Sequence, residues 1–173
     1  MADFAFWLTP AQTTYTQLTA QINTLCDQFQ ATPFAPHVTL FVGKHQPDEN
    51  MVDLGARLAG RTSAVELQVA HIGFSDFLFK TLFIQFAANP VVSDLVEAIR
   101  GGLQDSGAYQ FDPHLSLIYK TMSQRTQQEF ANSLPLPTNT ILFDQLNLVM
   151  PRDGDWGDIA GWQIQTSWPL AAS

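Results

Sequence analysis

Basic residues are scarce in this chain. Eight lysines and arginines face sixteen aspartates and glutamates in 173 residues, a formal charge of −8. Long nucleic acid binds through a basic surface that neutralises several phosphates, so this shortage argues against an extended DNA or RNA ligand. A small anion needs only a local site and is not excluded. Cysteine is nearly absent too: Cys26 stands alone, which leaves no intrachain disulfide and fits a reducing compartment. It lies among helical apolar positions, where a small buried hydrophobe is expected, not a nucleophile. No apolar run reaches about 18 residues, and the stretch Phe4 to Leu8 is too short for the core of a signal peptide. Four scattered histidines and one cysteine do not make a zinc-ligand pattern. These absences set the expectation: a cytoplasmic, monomeric domain with no metal, no cofactor and no membrane contact.

What the chain does contain is a phrase used twice. Phe34-Ala35-Pro36-His37-Val38-Thr39-Leu40-Phe41 returns as Phe111-Asp112-Pro113-His114-Leu115-Ser116-Leu117-Ile118. Both copies read Phe-x-Pro-His-aliphatic-hydroxyl-Leu-apolar. In a strand, residues two apart share a face. His37 therefore shares one with Thr39, and Val38, Leu40 and Val42 turn to the packed side. His114 shares a face with Ser116, with Leu115 and Leu117 opposite. Pro36 and Pro113 cannot donate a ladder hydrogen bond and belong at strand starts, which places each histidine near a strand end.

The surroundings of the phrase repeat as well. Phe4 to Leu8 alternates like a strand, and Thr9-Pro10 resembles a cap and proline that start a helix. Tyr15, Leu18, Ile22, Leu25, Cys26 and Phe29 then form one helical stripe. In the second half the strand is Thr81 to Phe86 and the helix start is Asn89-Pro90. Val92, Leu95, Val96, Ile99 and Leu103 form its stripe, which Gly101-Gly102 weakens at the end. A short helix follows each motif (about 48 to 58, and 123 to 134), then a strand (Val65 to Phe74, and Thr140 to Met150). The order β-α-β-α-β thus occurs twice, over residues of about 3–75 and 79–150. A hairpin over 151–170 closes the chain. The expectation is a single α+β domain of two pseudo-symmetric lobes, each a mainly antiparallel sheet with outer helices, facing a central cleft.

Two imidazoles suit paired proton transfer near neutral pH, one accepting a proton from water and the other giving one to a leaving oxygen. The accompanying hydroxyls can donate hydrogen bonds to phosphoryl oxygens that gain charge in the transition state. Other candidates are weaker. His71, on the face of Val65, Leu67 and Val69, reads as a hydrogen-bonded strand histidine, and His45 as an exposed loop residue. Asp153 to Asp158 lacks the ligand spacing of a calcium loop and reads as a turn. Lys44, Lys80, Lys120 and Arg125 read as solvated charges, although Lys80 or Lys120 could touch a phosphate, and Trp156, Trp162 and Trp168 read as core packing or a cleft wall ahead of a protein contact.

The two His-x-(Thr/Ser) signatures resemble those of the two-histidine phosphoesterase superfamily, and Phe-Asp-Pro-His-Leu-Ser-Leu-Ile-Tyr is most similar to its cyclic phosphodiesterase branch. The resemblance implies a catalytic pair in His37 and His114, with Thr39 and Ser116 as phosphate-binding hydroxyls. It also implies that Tyr119 and Trp7 line the site. Trp7 points away from Phe4, Phe6 and Leu8 and could stack on a base. Strict alternation places Tyr119 opposite Ser116 unless the strand bends or ends there. The implied reaction is metal-independent hydrolysis of a nucleoside 2′,3′-cyclic phosphate to the 2′-phosphate, or of ADP-ribose 1″,2″-cyclic phosphate to ADP-ribose 1″-phosphate. Alternatives are an RNA-end or 2′-5′ phosphodiesterase of the same superfamily, and a non-catalytic nucleotide-binding module.

Overall fold

A computed structural model describes residues 2–104, 107–136 and 138–172. It is an α+β fold of four α-helices and seven strands: β1 (Ala2–Pro10), α1 (Gln12–Phe29), β2 (Val38–His45), α2 (Met51–Ala59), β3 (Val65–Phe74), β4 (Leu82–Phe86), α3 (Pro90–Gly101), β5 (His114–Ile118), α4 (Gln124–Ser133), β6 (Thr140–Pro151) and β7 (Trp162–Pro169). Among the described residues no helix is long and apolar enough to cross a membrane.

The strands run in the order β1-β2-β5-β4-β3-β6-β7, and β1 also pairs with β6. They form two wings, β2-β1-β6-β7 and β3-β4-β5, and every pairing between named strands is antiparallel. The halves of the sequence do not each keep their own wing. β3, from the first half, pairs with β4, and β6, from the second, pairs with β1. The helices cross over likewise: α1 packs on β5 and α3 on β2. Where the wings meet, β3 joins the first residues of β6 (Val65 to Gln68 with Phe143 to Thr140). The two motif strands touch through one rung, Val38 opposite Leu115.

Periodicity explains most elements. The stripe of α1 buries Leu18, Ile22, Leu25 and Cys26 against a core that includes Phe6, Leu8 and Leu115. The Cys26 thiol is buried and donates towards the Thr32 carbonyl (3.5 Å). Burial, with the charge of Asp27, raises its pKa. Helix α3 starts as expected, with Asn89 Oδ1 accepting from the Val91 and Val92 amides (2.9 and 3.4 Å) and Pro90 in the first turn. Ser123 Oγ caps α4 by accepting from the Thr126 amide (3.2 Å).

The start of α1 corrects the expected cap. Thr9 and Pro10 are the end of β1, the helix begins at Gln12, and Ala11 gives it no side-chain cap. Thr9 Oγ1 instead accepts from Asn147 Nδ2 on β6 (3.1 Å). A buried strand-to-strand partner has won over the local capping role. His45 is likewise no loop residue: it ends β2, half-buried, with its ring edge-on to Phe4 at 5.8 Å.

Candidate active site

Both motif strands carry a β-bulge at the same place. Along β1 and β2, Phe6 faces Phe41 and Trp7 faces Thr39, so Leu40 is the extra residue. Along β4 and β5, Leu82 faces Ile118 and Phe83 faces Ser116, so Leu117 is extra. An inserted residue reverses the in–out alternation beyond it. This is why Val42 lines the cavity beside Trp7, His37 and Thr39, not the packed side that unbroken alternation assigns it. For the same reason Tyr119, just past the end of β5, shares the cavity with His114 and Ser116. A third bulge, at Ala70 between Val69 and His71, leaves His71 exposed and apart from the Leu67 face.

The cavity measures about 480 Å³ and brings together Trp7, His37, Thr39, His114, Ser116 and Tyr119, all six residues singled out in the sequence. Each histidine is held in the same way. His37 Nδ1 lies 2.7 Å from the Ala35 carbonyl, and His114 Nδ1 lies 2.9 Å from the Asp112 carbonyl. A carbonyl can only accept, so each Nδ1 carries the proton and donates it. In the neutral ring Nε2 is then the free lone pair. Two strands thus present two imidazoles in one tautomeric state.

Their surroundings differ. His37 is 5% exposed and stacks flat on the Trp7 indole, ring centres 3.6 Å apart and planes 9° apart. Burial lowers its pKa from 6.5 to about 4, against the bond from Ala35 that favours the charged form; the nearby charge of His114 lowers it further. Trp7 therefore spends one ring face on the histidine. His114 meets Phe83 edge-on at 5.6 Å, and burial lowers its pKa as well. The bond to the Asp112 carbonyl works against that lowering, the Lys80 charge adds to it, and the Asp112 carboxylate, 3.7 Å from Nδ1, opposes it more weakly. The first motif has Ala35 where the second has Asp112.

Ser116 Oγ donates to the Phe79 carbonyl at 3.0 Å, on the β3–β4 connection. Tyr109 Oη donates to the Thr39 carbonyl at 3.2 Å, and burial pushes the Tyr109 pKa up to about 12. The Tyr119 phenol is also raised, chiefly by burial; its ring stacks on Phe34 with centres 4.1 Å apart. The first residue of the first motif thus meets the one just after the second.

Further residues line the cavity. Lys80, expected as a solvated charge, faces the cavity and pairs with Asp112. Trp156 and Trp162 supply an aromatic wall, Trp162 edge-on to Trp7 (5.6 Å) and Tyr119 (5.5 Å). Its indole N–H donates to the Trp156 carbonyl (3.0 Å). Phe77 and Phe79 complete the rim. The tryptophan density of the C-terminal hairpin was the visible signal for that wall. Lys80 had none, because its role depends on strands that pair far from it in sequence. Among the described residues, no three of His, Cys, Asp and Glu gather as a metal site.

Known proteins share the fold of this chain. The family described as cyclic phosphodiesterase-like protein matches residues 1–134. A cyclic phosphodiesterase of Arabidopsis thaliana is 20% identical over 125 residues, 72% of this chain and 69% of that one. Among solved structures, LigT of Escherichia coli complexed with 3′-AMP aligns over 98% of both chains, with a TM-score of 0.65 and 16% identity. TT0787 of Thermus thermophilus aligns over 99% of both, with a TM-score of 0.61 and 14% identity. Usb1 of Kluyveromyces marxianus gives 0.51 and 10% over 97% of this chain and 96% of its own.

Proposed function

This chain belongs to the cyclic phosphodiesterase-like protein family, within the two-histidine phosphoesterase superfamily, and on that premise we propose that it hydrolyses small cyclic phosphodiesters with His37 and His114 as its acid–base pair. The observation that carries the reading is the matched pair of imidazoles. Each has its Nδ1 proton tied to the carbonyl two residues upstream and its Nε2 free at one cavity.

In the reaction, one imidazole takes a proton from water as the water oxygen bonds to phosphorus. The P–O3′ bond breaks, and the other imidazole, protonated beforehand, gives its proton to the departing oxygen. The products are a 2′-phosphate and a free 3′-hydroxyl. Two imidazoles account for both proton transfers. Thr39 and Ser116 can donate to the non-bridging oxygens; Ser116 does so by turning its hydroxyl from the Phe79 carbonyl. We assign the base to His37, whose burial against Trp7 keeps it neutral near pH 7. The acid is His114, whose pKa burial lowers but which, unlike His37, has a carboxylate, that of Asp112, 3.7 Å from Nδ1.

The test is hydrolysis of 2′,3′-cyclic AMP in excess EDTA with product identification, alongside His37→Ala and His114→Ala and a 2′-5′-linked oligonucleotide as competing substrate. Adenosine 2′-phosphate as product, with each substitution costing about 10²–10⁴-fold in turnover, is expected. Undiminished turnover in either variant, or preference for the oligonucleotide, defeats the proposal.

A further inference from the structure

Charge in the cavity is nearly balanced. Lys80 is the one Lys or Arg among the described lining residues, and it is already committed. Its ammonium donates to Asp112 Oδ2 and to Gln85 Oε1 (3.2 Å), and lies 4.2 Å from the centre of the Phe83 ring. Gln85 Nε2 donates to the other carboxylate oxygen, Asp112 Oδ1 (3.0 Å), and to the Pro113 carbonyl (3.0 Å). The Lys80 side chain is 21% exposed and that of Asp112 45%. The clamp is therefore held from several sides without being sealed from water. Apart from it, the wall is largely aromatic.

We propose that Asp112 is a specificity-determining residue: by neutralising Lys80 it leaves no free ammonium or guanidinium among the described lining residues of the cavity. The site then selects monoanionic cyclic phosphodiesters over dianionic phosphomonoesters and over substrates that also carry a pyrophosphate. This rests on the hydrolysis proposed above and narrows its substrate. A nucleoside 2′,3′-cyclic phosphate bears one negative charge, which the Thr39 and Ser116 hydroxyls and the protonated acid of the catalytic form can meet. The monoester product bears between one and a half and two near pH 7, going by the phosphomonoester pKa of about 6. Its second charge would enter an apolar cavity without a partner, and burying an unpaired charge is costly. ADP-ribose 1″,2″-cyclic phosphate adds two pyrophosphate charges, and the net charge of −8 adds long-range repulsion. Sites built for phosphate dianions leave a guanidinium or ammonium free to bind them; here the only candidate is spent on Asp112. Fast release of the product follows from the same arrangement.

The experiment measures dissociation constants of adenosine 2′-phosphate and inorganic phosphate by calorimetry at pH 7.5, together with KM for 2′,3′-cyclic AMP. It compares the wild type with Asp112→Asn, Lys80→Met and the double variant. We expect the wild type to bind adenosine 2′-phosphate more weakly than KM for the cyclic nucleotide. Asp112→Asn frees Lys80 and tightens adenosine 2′-phosphate about tenfold, as one charge a few ångströms away at an effective dielectric of about 20 allows. The cyclic nucleotide gains less, and the double variant restores the wild-type ratio. A wild type that holds adenosine 2′-phosphate tenfold more tightly than the cyclic nucleotide overturns the proposal without any variant. So does a ratio unmoved by Asp112→Asn, or one that stays shifted in the double variant. If Asp112→Asn fails to fold, Asp112→Ser makes the same comparison. If no form turns over cyclic AMP, the hydrolytic reading fails. The dissociation constant of the intact cyclic nucleotide then replaces KM, and the charge proposal is judged separately.

Discussion

Replacing Trp7 with alanine tests why the two histidines differ. The indole is 3% exposed and lies flat on the His37 ring at 3.6 Å, so removing it opens a path for water to the imidazole. The distance between 6.5 and the depressed value of about 4 corresponds to about 3 kcal/mol at roughly 1.36 kcal/mol per pH unit. A substitution that restores most of the hydration should carry the His37 pKa to about 6. The measurement is a proton NMR titration of the histidine Cε1–H resonances, assigned through His37→Ala, which needs no catalytic turnover. In the wild type one ring should stay neutral until about pH 4. Stability gives a second reading. Below pH 6.5 the unfolded chain binds a proton that folded His37 refuses until about 4, so acid favours unfolding through that window. The loss totals about 3 kcal/mol in the wild type and shrinks in the variant. Losing the large ring also costs about 3–5 kcal/mol at all pH values. A His37 that still titrates below about 5 in Trp7→Ala would refute the argument from desolvation.

Other expectations are independent of that one. Ser116→Ala removes a hydroxyl that donates to the Phe79 carbonyl and is hydrogen-bonded to the Tyr119 phenol; kcat should fall while the midpoint of thermal unfolding moves little, and a large drop in that midpoint with normal kcat would reverse the assignment. Gly55→Ala drives a methyl into the Trp168 indole at Cη2, and overpacking of this kind costs about 1–3 kcal/mol. Thermal unfolding should register it, and an unchanged midpoint would show that Trp168 yields freely. Gln127 is 1% exposed and donates to the carbonyls of Ser75 (2.8 Å) and Thr81 (3.4 Å), at the ends of the connection that carries Phe77, Phe79 and Lys80. Gln127→Leu should cost about 2 kcal/mol and raise KM more than it lowers kcat, as steady-state kinetics would show.

The sequence displayed the chemistry of the site more fully than its walls. His37, Thr39, His114 and Ser116 were legible because a strand gives no packing reason for an imidazole and a hydroxyl on one face, twice. Element order followed from apolar periodicity, and Val65 to Phe74 forms β3 to the residue. Facing failed where alternation was interrupted. The bulges at Leu40, Leu117 and Ala70 leave no mark in a pattern of period two, since an inserted leucine or alanine looks like any other apolar residue. Val42, Tyr119 and His71 were consequently harder to place than the residues before the bulges. Thr9-Pro10 misled because a cap and a strand end draw on the same residue types. Lys80 and Asp112 meet only because β4 and β5 pair, which composition cannot foretell.

The exchange of β3 and β6 between halves bears on how the molecule is made. Leaving the ribosome, the first β-α-β-α-β segment emerges without β6, the strand that flanks β1 opposite β2, and its own β3 awaits β4. Neither segment can complete its hydrogen bonding alone, so a fragment cut near residue 76 should be an unsatisfied, aggregation-prone chain and not a small working domain. The motif strands β2 and β5 pair directly, but β1 and β3 gain their common neighbour only once β6 has been made and docked. The cavity is thus among the last features the nascent chain completes, because Trp156 and Trp162 of its wall follow β6.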